Sequence, residues 1–453
     1  MKRLIFSALF LFSLAAYADN SQITVISDIH FNPFADCNKR GKCELVLKLN
    51  QAPETQWPKI LAQYSQNKLS APHEETNYVL FQRLLQQLQE QQPNHLLILG
   101  DFLAHRFHSL YVYYSHDKNT SHYQQFTIKT IQYITDSIQK ALPNTDIYPL
   151  IGNNDSYAGR GCAYSDYCVI ANGGFYKELS GVWSKLFKSE ANQQSFLGSF
   201  AHAGYYDIVL PNSHNHIIVL NTVIFSNKAQ GPDIDQEAKK QLQWLQDKLS
   251  AIAAANEKTW IIYHIPPGID AYSTTKNIFN VVAPFWENDY SKIFYKLVHQ
   301  YKDQITGVVS GHLHMDGFLL LDVNSSGNYI IDTFVPSISP IFGNNPAYKI
   351  YTYTPDEFKL HNFSAYYLDL KAAQPAWQKE YDFSKTYQPK DGLSTGYQKV
   401  TVDRHNTFTA NYIQFYAVNT ESQPITGGKW QNYWCATRYL ESKPYQTCLK
   451  ETR

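Results

Sequence analysis

The chain has 453 residues, 44% hydrophobic and 17% charged, with Lys+Arg and Asp+Glu equal at 39 each. That length accommodates one large domain, or a large domain with an accessory one, around a sizeable core. A formal net charge of zero excludes a general binder of nucleic-acid polymers or anionic membranes, whose affinity rests on a basic surface.

The first predicted element is a targeting signal. "MKRLIFSALFLFSLAAYADN" opens with Lys2 and Arg3, continues as a short apolar run and ends in the small-x-small pattern Ala16–Ala18. We read residues 1–18 as a cleaved signal peptide and Asp19 as the first mature residue, so the protein is expected to be secreted or periplasmic. The run is shorter than the roughly 20 apolar residues that span a bilayer, and no later segment is long and apolar enough to do so. The six cysteines fall in close pairs. In an exported chain these read as disulfides Cys37–Cys43, Cys162–Cys168 and Cys435–Cys448, each bracketing a short loop. No C-x-x-C spacing supports a cysteine-based zinc site.

From about residue 22 to 370, strand-like and helix-like runs alternate. "QITVISD" (22–28), "HLLILGD" (95–101), "DIYPLIGN" (146–153), "HIIVLNT" (216–222), "TWIIYHIP" (259–266) and "ITGVVSGH" (305–312) read as strands. Helices are predicted over 78–91, where Leu80, Leu84, Leu85 and Leu88 share a face, over about 123–141, and around the stripe Leu242, Leu245, Leu249, Ile252. The alternation indicates parallel βαβ pairing. The uniformly apolar strands fit sheets covered by helices. "FLLLDV", "YIIDTF", "YKIYTYT" and "KLHNFSAYYLDL" follow without helices between them and predict antiparallel hairpins or a second sheet. The fold class is therefore α/β: a two-sheet β-sandwich flanked by helices in four layers. Residues 19–372 form the main domain. Residues 373–453 are read as a linker followed by a small, mainly helical, disulfide-tied C-terminal subdomain.

Metal-ligand residue types recur at the carboxyl ends of the predicted strands. They are Asp28 and His30, then Asp101, Asn153, His264, and His312 with His314. Sites in open α/β sheets form just outside those ends, so residues distant in sequence converge on one crevice. Strand alternation is expected to put Asp28 and His30 on one side, and His312 and His314 likewise. Oxygen and imidazole ligands suit Zn²⁺, Mn²⁺ or Fe. Seven ligands exceed what one tetrahedral ion needs. Two ions roughly 3.5–4 Å apart, bridged by a carboxylate such as Asp101, make a clamp for displacement at phosphorus. Gly100, Gly152 and Gly311 leave room for tight turns beside them.

"SDIH", "GDF", "GNN", "YHIPPG" and "SGHLH" resemble, in order and spacing, the motifs of the binuclear metallophosphoesterase (calcineurin-like) superfamily. His105, four residues after Asp101, together with "HIPPG" and the C-terminal cysteine pair, resembles its acid sphingomyelinase-like phosphodiesterase branch. The resemblance implies that Asp28, His30, Asp101 and His314 hold one metal ion. Asp101, Asn153, His264 and His312 would hold the other, with Zn²⁺ the expected ion at both. It further implies attack on phosphorus by a metal-bridging hydroxide, with His105 stabilising phosphoryl oxygens or protonating the leaving group. The family's third motif usually has histidine where this chain has Asn154. Asparagine donates a hydrogen bond but transfers no proton, and losing a general acid costs about 10²–10⁴-fold. With every ligand intact, Asn154 is read as a catalytic-site residue that shifts substrate or rate.

His95, His202 and His216 are read as structural. The tyrosines of segment 106–123 should border the crevice, either packing or stacking on a base or sugar. Asn119, Asn154, Asn324 and Asn362 begin glycosylation sequons, with Asn154 expected to be too buried for use. The expected partner is a small phosphorylated substrate: a nucleotide, a nucleotide-diphosphate conjugate or a phosphocholine-type headgroup. The expected activity is hydrolysis of phosphodiester or phosphoanhydride bonds. The alternatives are a phosphomonoesterase or nucleotidase, and a retired phosphoesterase that binds metal and ligand without turnover.

Overall fold

The computed structural model describes residues 21–452 apart from 38–40, 158–161, 163–165, 278, 280, 323–328, 421–424 and 426–427. The expected signal peptide, Asp19 and the sequon at Asn324 lie outside the described residues.

Twelve strands form two six-stranded sheets among these residues. The first sheet contains β1 (Ser21–Ile26), β2 (His95–Ile98), β3 (Asp146–Pro149), β10 (Ala347–Tyr353), β11 (Leu360–Leu368) and β12 (Trp377–Asp382), in the order β12-β11-β10-β1-β2-β3. The second contains β4 (Tyr206–Val209), β5 (His216–Leu220), β6 (Thr259–Tyr263), β7 (Ile305–Ser310), β8 (Gly317–Asp322) and β9 (Tyr329–Phe334), in the order β4-β5-β6-β7-β9-β8. Parallel pairing joins β1 to β2 and β2 to β3, and it runs through β5, β6, β7 and β9. These are the β-branched and apolar runs, buried as strands covered on both faces must be.

The consecutive C-terminal strands divide between the sheets. β8 and β9 pair antiparallel in the second sheet, whereas β10 returns to pair with β1, placing Ile23 opposite Tyr351. The sheets meet face to face: Tyr351 on β10 bonds Thr333 on β9 at 2.7 Å, and Trp260 on β6 packs edge-on to the same tyrosine. The predicted helix 78–91 forms as Tyr78–Gln91, started by the Asn77 side chain accepting from Leu80 N–H, and it buries Leu80, Leu84 and Leu88.

Two expectations change. The stretch read as a linker after residue 372 supplies β12, an edge strand antiparallel to β11; of its six residues only Tyr381 is buried, so no apolar alternation marks it as a strand. The segment after the second motif coils into the helix Phe107–Ser115, and Tyr111 packs on Tyr123 and Phe126 in the core. Helices Thr407–Tyr416, Trp430–Ala436 and Ser442–Glu451 follow, the last two tied by Cys435–Cys448 with Cα atoms 6.0 Å apart. Cys37–Cys43 and Cys162–Cys168 are also paired.

A buried polar network fastens the first sheet to the loop that carries His312 and His314. Lys349 on β10 donates to Asp316 Oδ1 at 2.7 Å and to the Phe334 carbonyl at 2.8 Å, and Tyr381 on β12 donates to Asp316 Oδ2 at 2.8 Å. Burial pushes the Asp316 carboxyl up and the Lys349 ammonium down, so desolvation outweighs pairing for both. Removing one partner of such a pair costs about 3–5 kcal/mol. Lys349→Met is therefore expected to lower unfolding free energy by about that amount in chemical denaturation. A loss below about 1 kcal/mol, the range of a surface pair, would show that the network does not hold the loop.

Candidate metal centre

All seven predicted ligands lie at the carboxyl ends of strands, on the connections rather than within the strands. Asp28 and His30 follow β1, Asp101 follows β2, Asn153 follows β3, His264 directly follows β6, and His312 and His314 follow β7. Alternating strand geometry is not what aligns the D-x-H and H-x-H pairs. Asp28, His30, Asp101, His312 and His314 have φ of 51°, 43°, 53°, 70° and 61°. Non-glycine residues held there cost about 1–3 kcal/mol each and persist only when their surroundings over-determine them. Here the connections lace together: Asp28 N–H donates to the Gly100 carbonyl, His30 N–H to that of Asp101 and Phe31 N–H to that of Phe102, at 3.1, 2.8 and 2.8 Å.

The approach of the second and third connections requires glycine. Gly100 has φ +82°, and a Cβ there would overlap the Gly152 backbone. A Cβ on Gly152 would overlap the Asp101 carboxylate itself. Asp101 can therefore stand against Asn153 only because both neighbours lack side chains.

The side chains converge on one buried cluster. Asp101 Oδ2 lies 3.4 Å from His30 Nε2 and 3.3 Å from His264 Nε2, between the two halves of the site. On one side, His314 Nε2 is 3.3 Å from Asp28 Oδ1 and 3.1 Å from His30 Nε2. On the other, His264 Nε2 is 3.1 Å from Asn153 Oδ1, and its ring meets that of His312 at 5.1 Å. Asp28, His30 and Asp101 form one group whose ligand atoms lie within 4.8 Å of one another, and Asp101, His264 and His312 form a second.

Backbone carbonyls fix the ring orientations. His30 Nδ1 is 2.9 Å from the Leu103 oxygen, and His264 Nδ1 is 2.7 Å from the Leu99 oxygen. A carbonyl only accepts, so each Nδ1 carries hydrogen and Nε2 is the nitrogen that faces the cluster. Burial raises Asp28, yet His314, His264 and His30 outweigh it and hold the carboxyl at about 2. Burial lowers His30 and His264, yet the carboxylates, with Glu75 also acting on His30, raise both to about 9. Burial and the His264 charge push His312 down to about 3. Two imidazoles thus take up protons to balance buried carboxylates, and metal uptake would release them. Asp28 Oδ1, although buried, has no hydrogen-bond partner among the described residues. Electron-pair donors aimed at a common centre, one of them orphaned, fit two divalent ions.

His105 stacks on His30 with ring centroids 4.3 Å apart and planes 9° apart. Glu75, which sequence reasoning missed, holds it: one carboxylate oxygen accepts from His105 N–H at 2.8 Å and contacts Nδ1 at 2.7 Å. Glu75 is buried in the turn before the helix Tyr78–Gln91, and a lone glutamate 30 residues upstream carries no motif signal. Asn154, expected among the catalytic groups, is buried behind the Asp101 carboxylate. Its side-chain amide donates to Asp101 Oδ2 at 2.7 Å and its N–H to Asp101 Oδ1 at 2.8 Å. It is 1% exposed, its polar contacts run to Asp101, and its sequon is out of reach. Asp155 closes the turn by accepting from the N–H groups of Phe102, Leu103 and Gly152.

His95, His202 and His216 stand outside the cluster. His202 pairs with Glu237 at 2.6 Å and His216 with Glu257 at 2.9 Å, while His95 faces Asp146 at 4.0 Å.

The family model described as calcineurin-like phosphoesterase matches residues 21–316, and that of the acid sphingomyelin phosphodiesterase C-terminal region matches residues 322–453. The cyclic GMP-AMP phosphodiesterase SMPDL3A of Rattus norvegicus is 27% identical over 343 residues, covering 71% of this chain and 72% of the relative. Sphingomyelinase phosphodiesterase D of Dictyostelium discoideum is 27% identical over 322 residues, covering 69% and 66%. Among solved structures, a dimetal phosphatase from Danio rerio is 10% identical, with a TM-score of 0.41, covering 80% of this chain and 99% of that one.

Proposed function

The chain belongs to the calcineurin-like phosphoesterase family, and on that premise we propose that it is an exported phosphodiesterase using two divalent ions, most simply Zn²⁺. Asp28, His30, Asp101 and His314 would hold one ion. Asp101, Asn153, His264 and His312 would hold the other. The single observation that carries this reading is the position of Asp101 Oδ2, 3.4 Å from the Nε2 of one half-site and 3.3 Å from that of the other. Export is supported by the N-terminal signal pattern and the three disulfides. Among the described residues no helix is long and apolar enough to cross a membrane.

When bound, such a pair of ions polarises the phosphoryl oxygens and supplies an acidified water. The chain does the rest. The carbonyls of Leu99 and Leu103 keep two imidazoles in the ligating tautomer. Asn154 and the turn closed by Asp155 keep Asp101 from rotating. His105, with Nδ1 engaged by Glu75, presents Nε2 as the nitrogen that exchanges a proton with the leaving oxygen.

A phosphodiester substrate is supported by the relatives, which are named for a cyclic dinucleotide and for sphingomyelin, both phosphodiesters. Purified mature chain is expected to hydrolyse bis-p-nitrophenyl phosphate in preference to p-nitrophenyl phosphate. A chelator should abolish turnover, and Zn²⁺ or Mn²⁺ should restore it. Preference for the monoester would favour a phosphomonoesterase, and turnover unaffected by chelation would sink the proposal.

A further inference from the structure

The disulfide Cys162–Cys168 and its neighbour Tyr167 have no part in the proposed chemistry, yet they reach the metal cluster. The Tyr167 N–H donates to the Asn153 carbonyl at 2.7 Å. The Tyr167 ring stands edge-on to His312, with centroids 6.4 Å apart and planes 86° apart. One residue thus meets two of the four groups assigned to the second ion. Each contact answers a need of that half-site. Affinity for a divalent ion follows the charge and the rigidity of its ligands. Asn153 brings no charge, so its contribution depends on being held in place. Fixing its carbonyl fixes the backbone from which Oδ1 projects, 3.1 Å from His264 Nε2. His312 is enclosed by three rings edge-on to it: His264 at 5.1 Å, Phe285 at 5.7 Å and Tyr167. Rings packed in this way limit how far its imidazole can turn.

Tyr167 is itself held from several sides. Its φ of 60° is a left-handed value that a tyrosine keeps only under constraint. Its carbonyl accepts from the Gln230 N–H at 2.9 Å, and the Gln230 carbonyl accepts from the Val169 N–H at 2.8 Å. Between those two bonds, Cys168 is buried and joined to Cys162, with Cα atoms 5.6 Å apart. Gly231 lets the two segments meet, since a Cβ there would overlap the Val169 carbonyl. Lys228 places its ammonium over the Tyr167 ring, 5.4 Å from the centroid.

Resting on the two-ion reading above, we propose that Tyr167 is a positioning residue for the second ion, and that the Cys162–Cys168 disulfide holds it in that role. The disulfide sets the affinity of the second half-site through two contacts: the Tyr167 N–H on Asn153 and the Tyr167 ring against His312. The first half-site, built on Asp28, His30 and His314, does not depend on it.

The test titrates Zn²⁺ into the full mature chain, freed of metal, against a chromogenic chelator, which yields a dissociation constant for each ion. His312→Ala identifies the constant that belongs to the second ion. In the double variant Cys162→Ala, Cys168→Ala that constant should rise by about 10–100-fold, the cost of losing a group that orients a metal ligand, while the other stays unchanged. Tyr167→Ala, which keeps the disulfide, should raise the same constant. Tyr167→Phe keeps both the N–H and the ring and should leave both constants unchanged. The two constants are read on the same molecules, so partial loss of folded protein lowers the amplitude and not their ratio. If the double variant does not fold, Tyr167→Ala decides. An unchanged second constant in either folded variant, or an equal rise in both constants, overturns the positioning role while leaving the two-ion reading intact. Fewer than two ions on the unaltered chain overturns both.

Discussion

Asp101→Asn is expected to lower metal-dependent diester hydrolysis by about 10³–10⁴-fold, equivalent to roughly 4–6 kcal/mol of transition-state stabilisation. The substitution is nearly isosteric, and the neighbouring glycines leave its volume unchanged, so folding should survive. What it removes is the charge shared by the two halves of the site. Among the described residues, Asp101 Oδ2 is the one carboxylate oxygen within 3.4 Å of both His30 Nε2 and His264 Nε2. An amide in its place offers a neutral oxygen and sets an N–H group against the Asn154 amide that now donates to it. Steady-state rates at saturating Zn²⁺, beside a thermal melt of each protein, check this. A variant that keeps a tenth or more of the activity would mean that Asp101 does not couple the two ions.

The second large effect concerns His105 and depends on the leaving group. His105→Gln should slow diesters of ordinary alcohols by about 10²–10⁴-fold, the range for loss of a general acid. The loss should be far smaller for p-nitrophenyl esters, whose leaving oxygen needs no proton. Glu75→Gln keeps an oxygen for His105 N–H but replaces the carboxylate that meets Nδ1 at 2.7 Å with a neutral amide. Its expected loss is about 10–100-fold on alcohol esters, in kcat more than in KM. The comparison of leaving groups separates proton donation from mere support of the fold, which would slow every substrate alike. Equal losses on both kinds of ester would assign His105 and Glu75 to structure.

Much of this was legible in the sequence because glycine, aspartate and histidine mark the carboxyl ends of apolar strands, where open sheets place their sites. The candidate ligands Asp28, His30, Asp101, Asn153, His264, His312 and His314 could be named that way, as could the parallel pairing of the strands. The backbone that aims them could not. Five of the seven adopt left-handed φ values, which neighbouring connections impose through hydrogen bonds between distant segments, and no local propensity announces that. Glu75 was invisible for a related reason: its partner His105 is 30 residues away and is reached only after the helix Tyr78–Gln91 and β2 have folded between them. The role of Asn154 was open for a subtler one. Its chemistry said that it could donate a hydrogen bond, but only the geometry shows the acceptor to be Asp101. β12 was missed because "WQKEYD" carries more polar than apolar residues, as an edge strand tolerates.

The most direct test of the two-ion phosphodiesterase is to titrate Zn²⁺ into metal-free mature chain while following both bound metal and hydrolysis of bis-p-nitrophenyl phosphate. The cluster described here predicts that turnover rises to a plateau at about two ions per chain. A plateau at one ion, or two ions bound with no turnover of any diester, would contradict it; the latter would mean a site retired to binding.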